Sequence, residues 1–305
     1  MRVIWQGQSD TPRVVALGTF DGVHRGHGEL LDTGIRLARR EGLLLRACSF
    51  DRHPLEIIRP DRAPRMLTTI PERAALMART GVDEMLLLRF DRQTADMEPE
   101  AFLEALRNMT PLRAVIAGWN YSFGRGGRGD AETLWKDGRE HGYEVIIQPP
   151  VTAADGTVLS SSAIREQLES GNIARAEEML GHGYQLSGRV GEGKHMGHRI
   201  GVPTANVGVW HLKQLPAYGV YPCFMETGDT VYRAVVNIGL QPTMPSGKVT
   251  VEAHALEDSP ELYGQAVRLT LGPRIRAERK FASPAELAEQ IGKDREDALK
   301  WFGMA

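Results

Sequence analysis

The sequence has little cysteine and no long apolar run. Its 305 residues include two cysteines, Cys48 and Cys223, which lie far apart, so we expect no disulfide framework. No apolar run is long enough to cross a bilayer, and the first residues lack the pattern of a signal peptide. These absences predict a cytoplasmic protein with no membrane segment.

The net charge is close to zero. Lysine and arginine number 37 against 39 aspartate and glutamate, a formal charge of −2 at pH 7, which gives no general attraction to nucleic acid or membranes. A hydrophobic fraction of 42% and a charged fraction of 25% are typical of a soluble globular protein, and 305 residues favour two domains. We therefore expect small-molecule substrates. The oligomeric state stays open, with a monomer among the options.

One glycine-rich stretch dominates the first half, Gly18-Thr-Phe-Asp-Gly-Val-His-Arg-Gly-His27. The apolar residues 14–17 before it predict a buried strand, and apolar residues at helical spacing after it predict an amphipathic helix. Its glycines let the backbone approach a ligand, and the free amides at a helix start favour negative charge. His24 and His27 are three residues apart and share a face, which suits a grip on a polyphosphate.

Plainer interpretations fit the same residues. A glycine-rich turn is weak evidence by itself, and paired histidines can be core residues, surface residues or zinc ligands. A zinc site needs a third and a fourth ligand, and no cysteine or glutamate lies nearby at a suitable spacing. On this stretch alone, phosphate binding and an ordinary turn both stay open.

Short apolar runs alternate with amphipathic stretches from Val14 to Gln148. This alternation predicts an α/β domain, Rossmann-like, with a mostly parallel sheet between two layers of helices. The predicted strands are 14–17, 43–50, 85–88, 114–117 and 145–147, and the predicted helices include 69–81, 99–109 and 131–141. Because ligands bind beyond the carboxyl ends of such strands, the loops there are candidate sites.

Two loops follow predicted strands. In Ser49-Phe-Asp-Arg-His-Pro54, His53 precedes a proline and must be extended, although an ordinary loop fits equally well. Residues 118–124 lead into Arg125 and Arg128, which suit a surface loop or nucleotide contact. An RNA-binding segment is disfavoured, because the pattern occurs once and no wider basic surface accompanies it.

A serine run, Leu159-Ser-Ser-Ser-Ala-Ile-Arg165, opens another predicted helix. The serines can cap the helix by accepting hydrogen bonds from its free amides. Ser161 and Arg165 are four residues apart and share a face at the helix start, where a guanidinium can bind phosphate as a planar fork.

The pattern changes near Gly183. We therefore predict one domain over residues 1–182 and a second over residues 183–305. In the second, short alternating runs with glycine and proline turns predict a small antiparallel β-barrel. The predicted strands are 186–190, 220–226, 231–237, 250–256 and 267–271, and a final amphipathic helix is predicted over 284–302.

Two polar patterns in this second half suit phosphoryl chemistry. Thr204 and Asn206 offer oxygens two residues apart, and Mg²⁺ needs only one or two protein oxygens beside phosphates and water. Glu252 alternates with valine and alanine in a predicted strand, so it points out of the barrel wall. There it can accept a proton from a hydroxyl nucleophile or be an ordinary surface glutamate.

Together these motifs resemble those of the bacterial bifunctional riboflavin kinase/FAD synthetase family. Residues 18–27 are similar to the His-x-Gly-His signature of nucleotidyltransferases, and residues 118–124 and 160–165 are similar to two further family motifs. The second half matches the family in order at Pro203-Thr-Ala-Asn206, Asn237-Ile-Gly239, Pro242-Thr243, Glu252, Leu262-Tyr-Gly264, Arg276-Ala-Glu-Arg-Lys-Phe281 and Gln290-Ile291. The resemblance implies that the second domain phosphorylates riboflavin to FMN and that the first adenylylates FMN to FAD, each with ATP and Mg²⁺.

The resemblance also implies site residues for adenylyl transfer. A phosphate oxygen of FMN would attack the α-phosphate of ATP, with the charge neutralised by His24, His27 and Arg165 and no general base. The implied ATP contacts are Gly18, Phe20, Asp21, Gly22, Gly26, Gly118, Asn120, Ser161 and Ser162, and the implied flavin contacts are Phe50 and His53.

For riboflavin phosphorylation, the resemblance implies that Glu252 activates the ribityl 5′-hydroxyl group. Thr204 and Asn206 would bind Mg²⁺ and the ATP phosphates. Further implied contacts are Gly188 and Gly193 in a glycine loop over the phosphates, and Lys280 and Phe281 at the flavin.

The chain departs from the family pattern at several positions. Arg52, Tyr121 and Ser162 replace proline, phenylalanine and threonine in the first half. In the second half, Met196, His198 and Gln241 replace basic residues and so remove positive charge near the expected nucleotide, and Val202 replaces phenylalanine. They do not touch the threonine, asparagine and glutamate of the kinase pattern.

Two other functions stay open. One is a single nucleotidyltransferase activity on another phosphorylated substrate, with a silent barrel. The other is a flavin-holding or regulatory protein without catalysis, against which the presence of both motif sets argues.

Overall fold

The computed structural model describes residues 1–5, 8–191, 204–240, 249–257 and 261–303. The chain divides into two compact units, Met1–Ser161 and Ser162–Ala305. No helix among the described residues is both long enough and apolar enough to span a bilayer. Cys48 and Cys223 are buried free thiols.

The first unit is built on a six-stranded sheet in which every pairing is parallel. The strands are β1 (Arg2–Trp5), β2 (Arg13–Leu17), β3 (Leu44–Phe50), β4 (Glu84–Leu88), β5 (Leu112–Gly118) and β6 (Glu144–Gln148). Their order across the sheet is β1-β4-β3-β2-β5-β6. The predicted Rossmann-like sheet is confirmed, with β1 as an additional edge strand.

Six helices accompany this sheet: α1 (Arg25–Arg40), α2 (Leu55–Ile58), α3 (Ile70–Thr80), α4 (Arg92–Ala95), α5 (Pro99–Met109) and α6 (Ala131–His141). Local chemistry sets their ends. Thr69 and Glu72 form a capping box at the start of α3, and Asp130 forms one at the start of α6. Gly81 and Gly142 end these two helices in the left-handed conformation.

Apolar side chains bury both faces of the sheet. In β2, Val14 and Ala16 belong to the core on one face, whereas Val15 and Leu17 belong to the core on the other. This alternation follows from the two-residue period of a strand. A strand buried on both faces carries no side chain for solvent or ligand, so the chemistry of this unit falls to the loops beyond the strand ends.

The strand order reverses beside β2. From β2 the chain adds β3 and β4 on one side, and it then returns to place β5 on the other side. Leu17 pairs with Ala117, so Gly18 and Gly118 follow at neighbouring strand ends. Such a reversal leaves a crevice at the carboxyl ends of the strands, where α/β proteins bind nucleotides.

The helix α7 (Ser161–Ser170) begins at the last residue of the first unit, and the second unit continues with α8 (Ile173–Leu180) and then a barrel. The barrel strands are β7 (Gln185–Gly191), β8 (Ala205–Val209), β9 (Gly219–Thr227), β10 (Thr230–Leu240), β11 (Val249–Ala255) and β12 (Ala266–Leu271). They pair antiparallel in the order β10-β11-β8-β7-β12-β9, and β9 pairs again with β10. That last pairing closes six strands into a barrel, as predicted.

Two further elements complete this unit. The short strand β13 (Arg276–Ala277) pairs with the start of β9. The terminal helix α9 (Pro284–Trp301) packs against β9 and β10, and its Trp301 forms an aromatic cluster with Phe224 and Phe302. The predicted terminal helix is confirmed.

Buried ion pairs join the strands of the first unit. The carboxylate of Glu84 is 1% exposed and accepts hydrogen bonds from Arg13 Nε at 3.3 Å and Arg46 Nε at 2.9 Å. Burial by itself raises the pKa of Glu84, but the hydrogen bonds from Arg13 and Arg46 outweigh it and lower the pKa overall.

We expect Glu84→Gln to lower the free energy of unfolding at pH 7 by about 3 kcal/mol, because it leaves two buried guanidinium groups without their carboxylate. A carboxylate with a lowered pKa stabilises the fold above its unfolded-state pKa and loses that effect as the pH falls through its folded-state pKa. Urea unfolding at several pH values should therefore show a difference between wild type and variant that shrinks in acid.

Asp32→Asn is the matched control, since Asp32 pairs with Arg36 on the exposed surface of α1. Its effect should stay within about 0.5 kcal/mol. A Glu84→Gln effect no larger than that of Asp32→Asn would contradict the structural role of the buried pairs.

Candidate functional site

The loop after β2 has an unusual backbone. Phe20 and Val23 have φ angles of +50° and +42°, and Gly22 between them has a φ of +82°. The left-handed region is costly for residues with a β-carbon, and such strain persists only where surrounding contacts enforce it. Phe20 is fully buried, so its ring anchors one of the two strained positions.

The two histidines of the loop lie against each other. His24 is the N-cap of α1, and its Nδ1 accepts a hydrogen bond from the His27 amide at 3.3 Å. The ring centroids are 3.7 Å apart with planes inclined by 22°. Glycine at position 26 favours this contact, since a β-carbon there would lie 3.1 Å from the His24 ring and would press on it. The predicted pairing of the imidazoles is confirmed, with His24 as the cap and not inside the helix.

The environment of His27 favours the neutral ring. Burial lowers the pKa of His27 well below its usual value, and the positive charges of His24 and Arg73 lower it further. Among the described residues, His27 Nδ1 is a buried nitrogen without a hydrogen-bond partner. Buried polar groups are almost always hydrogen-bonded, so this atom marks a place where a ligand or water can supply the partner.

Asp21 holds the loop to the chain segment before α3. Its buried carboxylate accepts hydrogen bonds from the Leu67 amide and from the amide and hydroxyl of Thr68, each at 3.0 Å. The Gly22 amide donates to the same Thr68 hydroxyl at 3.1 Å, and Ser161 Oγ donates to the Asp21 carbonyl at 2.9 Å. The carboxylate of Asp21 is thus directed at the protein, where it supports the backbone of the loop.

Sequence reasoning missed one buried cation in this region. Arg73, on α3, is 2% exposed and lies 3.9 Å from the Asp21 carboxylate. Its Nη1 donates to Ser49 Oγ at 3.0 Å and to the Phe50 carbonyl at 3.3 Å. Helical spacing in the sequence indicates the burial of Arg73, because it places Arg73 on the same face of α3 as Leu76 and Met77.

The end of β5 and the loop after it contain a glycine, Gly118, and a side-chain amide, that of Asn120. Gly118 ends the strand, and the Asn120 side-chain oxygen lies 3.5 Å from the place where a β-carbon on Gly118 would stand. Phe123 is buried in the core and pairs with Gly129 across a short bridge. The predicted adenosine contacts, Gly118 and Asn120, therefore lie at the strand end that neighbours Gly18.

The two arginines of this loop have carboxylate partners. Arg128 forms an ion pair with Glu98, and Arg125 lies 3.7 Å from the same carboxylate. All three side chains are exposed, so these pairs add little stability.

The loop after β3 carries the predicted flavin contacts. Phe50 packs edge-on against Phe90, with centroids 4.8 Å apart. His53 Nδ1 accepts a hydrogen bond from the Leu55 amide at 3.2 Å, and the His53 amide donates to Glu56 at 2.9 Å. These contacts fix the ring orientation of His53 at the start of α2.

The serine run begins α7 as predicted. Ser162 is exposed, and Ile164 and Leu168 are fully buried, as the helical spacing indicated. Arg165 is 9% exposed and belongs to the second compact unit, whereas Ser161 belongs to the first.

The predicted kinase residues share the outer face of the barrel. Glu252 on β11 is directly opposite Asn206 on β8 and Asn237 on β10. Directly opposed residues in antiparallel strands project from the same face, with β-carbons roughly 5 Å apart. Val251 and Ala253, on either side of Glu252, are buried in the barrel. The predicted outward direction of Glu252 is confirmed.

Burial raises the pKa of Glu252, and a hydrogen bond from Thr250 opposes that rise. A carboxylate with a raised pKa accepts protons more readily, which suits the activation of a hydroxyl group. Thr204 is half-buried, two residues before Asn206 and just before β8 begins. A hydroxyl group and an amide carbonyl are hard oxygen donors that suit Mg²⁺ held mainly by phosphates. Among the described residues, no cluster of three or more His, Cys, Asp or Glu forms an all-protein metal site.

The other ATP and flavin contacts predicted for the second half lie on β7, after β13, or outside the described residues. Gly188 lies inside β7, where a β-carbon would stand 2.5 Å from the Gly208 carbonyl oxygen, so close strand packing requires glycine there. Lys280 is exposed, and the guanidinium groups of Arg276 and Arg279 lie over the half-buried Phe281 ring. Gly193 and the departures at positions 196, 198, 202 and 241 lie outside the described residues.

Ion pairs hold the segment before Phe281 against the terminal helix. Both Arg276 Nε and Arg276 Nη2 donate to the Asp294 carboxylate at 2.8 Å, a two-point contact. Arg279 donates to Gln290 at 2.8 Å. The segment is therefore positioned by α9.

Comparison with known proteins agrees with this division of the chain. The family model described as FAD synthetase matches residues 6–163, and the model described as riboflavin kinase matches residues 180–302. The bifunctional riboflavin kinase/FMN adenylyltransferase of Escherichia coli K12 is 36% identical, over 95% of this chain and 93% of its own length. The protein of that name in Bacillus subtilis is 32% identical, over 95% and 92%.

A solved structure supports the fold. A Streptococcus pneumoniae protein described as a macrolide-efflux protein matches with a TM-score of 0.87 and 30% identity, over 99% of this chain and all of its own. Both family matches and the full-length relatives lead to one assignment. The chain belongs to the bifunctional riboflavin kinase/FMN adenylyltransferase family.

Proposed function

We propose that the chain carries out two consecutive ATP-dependent reactions: residues 183–305 phosphorylate riboflavin to FMN, and residues 1–182 adenylylate FMN to FAD with release of pyrophosphate. The observation that carries the proposal is the presence of two separate clusters of polar residues, one at the strand-order reversal of the sheet and one on the outer face of the barrel. The loops at the strand-order reversal fall inside the FAD synthetase match, and the barrel residues fall inside the riboflavin kinase match, whereas Arg165 lies between the two matches.

In the adenylylation step, a phosphate oxygen of FMN attacks the α-phosphate of ATP. The nucleophile is already an anion, so placement and charge neutralisation replace acid–base catalysis. We assign the neutralisation to His24, His27 and Arg165, together with the amides at the start of α1. The other proposed ATP contacts are Gly18, Phe20, Asp21, Gly22, Gly26, Gly118, Asn120, Ser161 and Ser162.

Phe50 and His53 are the proposed flavin contacts of this site. Asp21 and Phe20 act by holding the backbone of the loop in the conformation that faces ATP. The Asp21 carboxylate is hydrogen-bonded to other residues of the protein, and the Phe20 ring is fully buried. The neutral state favoured for His27 has a consequence for binding. A bound polyphosphate supplies negative charge that raises the pKa of a neighbouring imidazole, so ligand binding shifts His27 towards its protonated form.

In the phosphorylation step, Glu252 accepts the proton of the ribityl 5′-hydroxyl group as that oxygen attacks the γ-phosphate of ATP. Thr204 and Asn206 would hold Mg²⁺, which neutralises charge on the phosphates when bound. Gly188 and Gly193 are the proposed glycine contacts to ATP, and Lys280 and Phe281 are the proposed flavin contacts.

The partners of the protein follow from this chemistry. We propose ATP, riboflavin and FMN as its ligands, with no nucleic-acid partner and a cytoplasmic location. The near-zero net charge supports this, since it gives no general attraction to polyanions.

We expect His27→Ala to lose FAD formation by about 100-fold while FMN formation persists, because the imidazole stabilises charge only at the first site. Incubation with riboflavin, ATP and Mg²⁺, followed by chromatography of FMN and FAD, measures both products. His141→Ala, at an exposed histidine of α6, is the control and should retain both activities. Equal loss of FMN and FAD in folded His27→Ala would contradict the two-site assignment.

We expect Glu252→Gln to lower FMN formation by at least about 100-fold, since the amide cannot accept the hydroxyl proton. The same variant should still adenylylate supplied FMN. Glu226→Gln is the control, because Glu226 lies on β9 in a half-exposed ion pair with Arg268. Normal riboflavin phosphorylation by Glu252→Gln would rule out its proposed role.

A further inference from the structure

Arg73 lies where three chain segments of the first unit meet. It comes from α3, it contacts Ser49 and the Phe50 carbonyl at the end of β3, and it lies 3.9 Å from Asp21 in the loop after β2. The side chain is 3% exposed, and its Nε is a buried donor without a partner among the described residues. Burying a cation costs free energy, so a buried arginine is expected where its contacts stabilise the structure or bind a ligand.

A short relay extends this contact to the strained loop. Arg73 Nη1 donates to Ser49 Oγ at 3.0 Å, and Ser49 Oγ donates to the Thr19 carbonyl at 2.8 Å. Thr19 immediately precedes Phe20, the first residue of positive φ. Arg73 therefore restrains the loop at two points, through Ser49 at its start and through Asp21 at its bend.

Arg73 also acts on the histidine pair electrostatically. The charged and titratable groups that act on His27 are His24, at the N-cap of its own helix, and Arg73, from α3. Asp21 lies beside Arg73, but its carboxylate is shared with the Leu67 and Thr68 donors. An arginine keeps its charge even when it is buried, so the cation is a permanent part of the site.

We propose that Arg73 is a positioning residue for adenylyl transfer, which clamps the loop after β2 to the end of β3 and fixes a positive charge within reach of the paired imidazoles. The inference rests on the proposed adenylyltransferase function of this site. It assigns a role to a residue of α3 that lies outside every motif identified in the sequence.

The test replaces Arg73 by methionine and by lysine in the full-length chain. Arg73→Met keeps most of the volume but removes the charge and the donors, so we expect kcat for FAD formation from FMN to fall by about tenfold or more. Arg73→Lys keeps the charge and a donor for Ser49, so kcat should recover to within a few-fold of wild type. FMN formation from riboflavin should stay unchanged in both variants, which provides an internal control for folding of the chain.

Arg46→Met is the matched control for burial. Arg46 is 2% exposed on β3 and pairs with Glu84, away from the loop after β2. It should lower the melting temperature while kcat per folded molecule stays normal. If Arg73→Met and Arg46→Met changed kcat and melting temperature alike, the role of Arg73 would be structural only and the proposal would fail.

Two further measurements separate the parts of the proposal. Ser49→Ala removes the hydrogen-bond relay to Thr19 with little change in side-chain volume, and it should lower kcat several-fold. An unchanged kcat would overturn the proposed clamp. This variant also tests the clamp if Arg73→Met fails to fold. NMR titration of His27 should show a higher pKa in Arg73→Met or, if that variant is unfolded, in Arg73→Gln. An unshifted His27 pKa would overturn the electrostatic part.

Wild-type activity distinguishes the inference from the function on which it rests. If wild type forms no FAD from FMN and ATP, the proposed function fails. If wild type forms FAD and Arg73→Met forms it equally fast, only the role of Arg73 fails.

Discussion

The first unit depends on a strained turn held by a buried carboxylate. Phe20 and Val23 adopt positive φ angles, each at a cost of roughly 1–3 kcal/mol. Asp21 between them accepts three hydrogen bonds from Leu67 and Thr68, and bonds to a charged acceptor contribute about 1.5–3 kcal/mol each. The two contributions are of similar size, so the turn persists, and it places His24 at the N-cap of α1.

The barrel positions its polar residues by strand register: among the described residues of the second unit, only glycines have positive φ angles. Its closed ring of six strands separates an apolar inner face from an outer face that can carry polar groups. Antiparallel register then brings Glu252, Asn206 and Asn237 side by side, although they are up to 46 residues apart along the chain. Since backbone hydrogen bonds fix the register, the relative positions of these side chains need no contacts of their own.

Charge is supplied locally in both halves. The net charge of the chain is −2, so no overall field attracts nucleotides. In the first unit, the buried guanidinium of Arg73 provides a fixed positive charge that acts on His27, and electrostatic effects are stronger in such a buried setting than in water. In the second, Glu252 is half-buried, which raises its pKa and makes its carboxylate a stronger base than that of an exposed glutamate.

Local chemistry determined much of this protein from the sequence by itself. The ends of α5 and α6 agree with prediction because their starts and stops carry proline, a capping box or a terminal glycine. The direction of Glu252 followed from alternation along one strand, and the histidine pair followed from a spacing of three. Strand β8 is absent from the predicted strands, because a five-residue strand with a glycine gives no clear period.

Only the tertiary structure decided which distant residues act together. A sequence shows Arg73 as one charge on a predicted helix, whereas its meaning comes from Asp21 and Ser49, which lie 52 and 24 residues away along the chain. Likewise, the sequence shows no reason for glycine within the predicted strand 186–190, whereas the structure shows that β8 packs too closely against Gly188 for a β-carbon. Periodicity and capping are encoded within a few neighbouring residues, but burial and charge contacts depend on how the strands are ordered, and no local pattern contains that order.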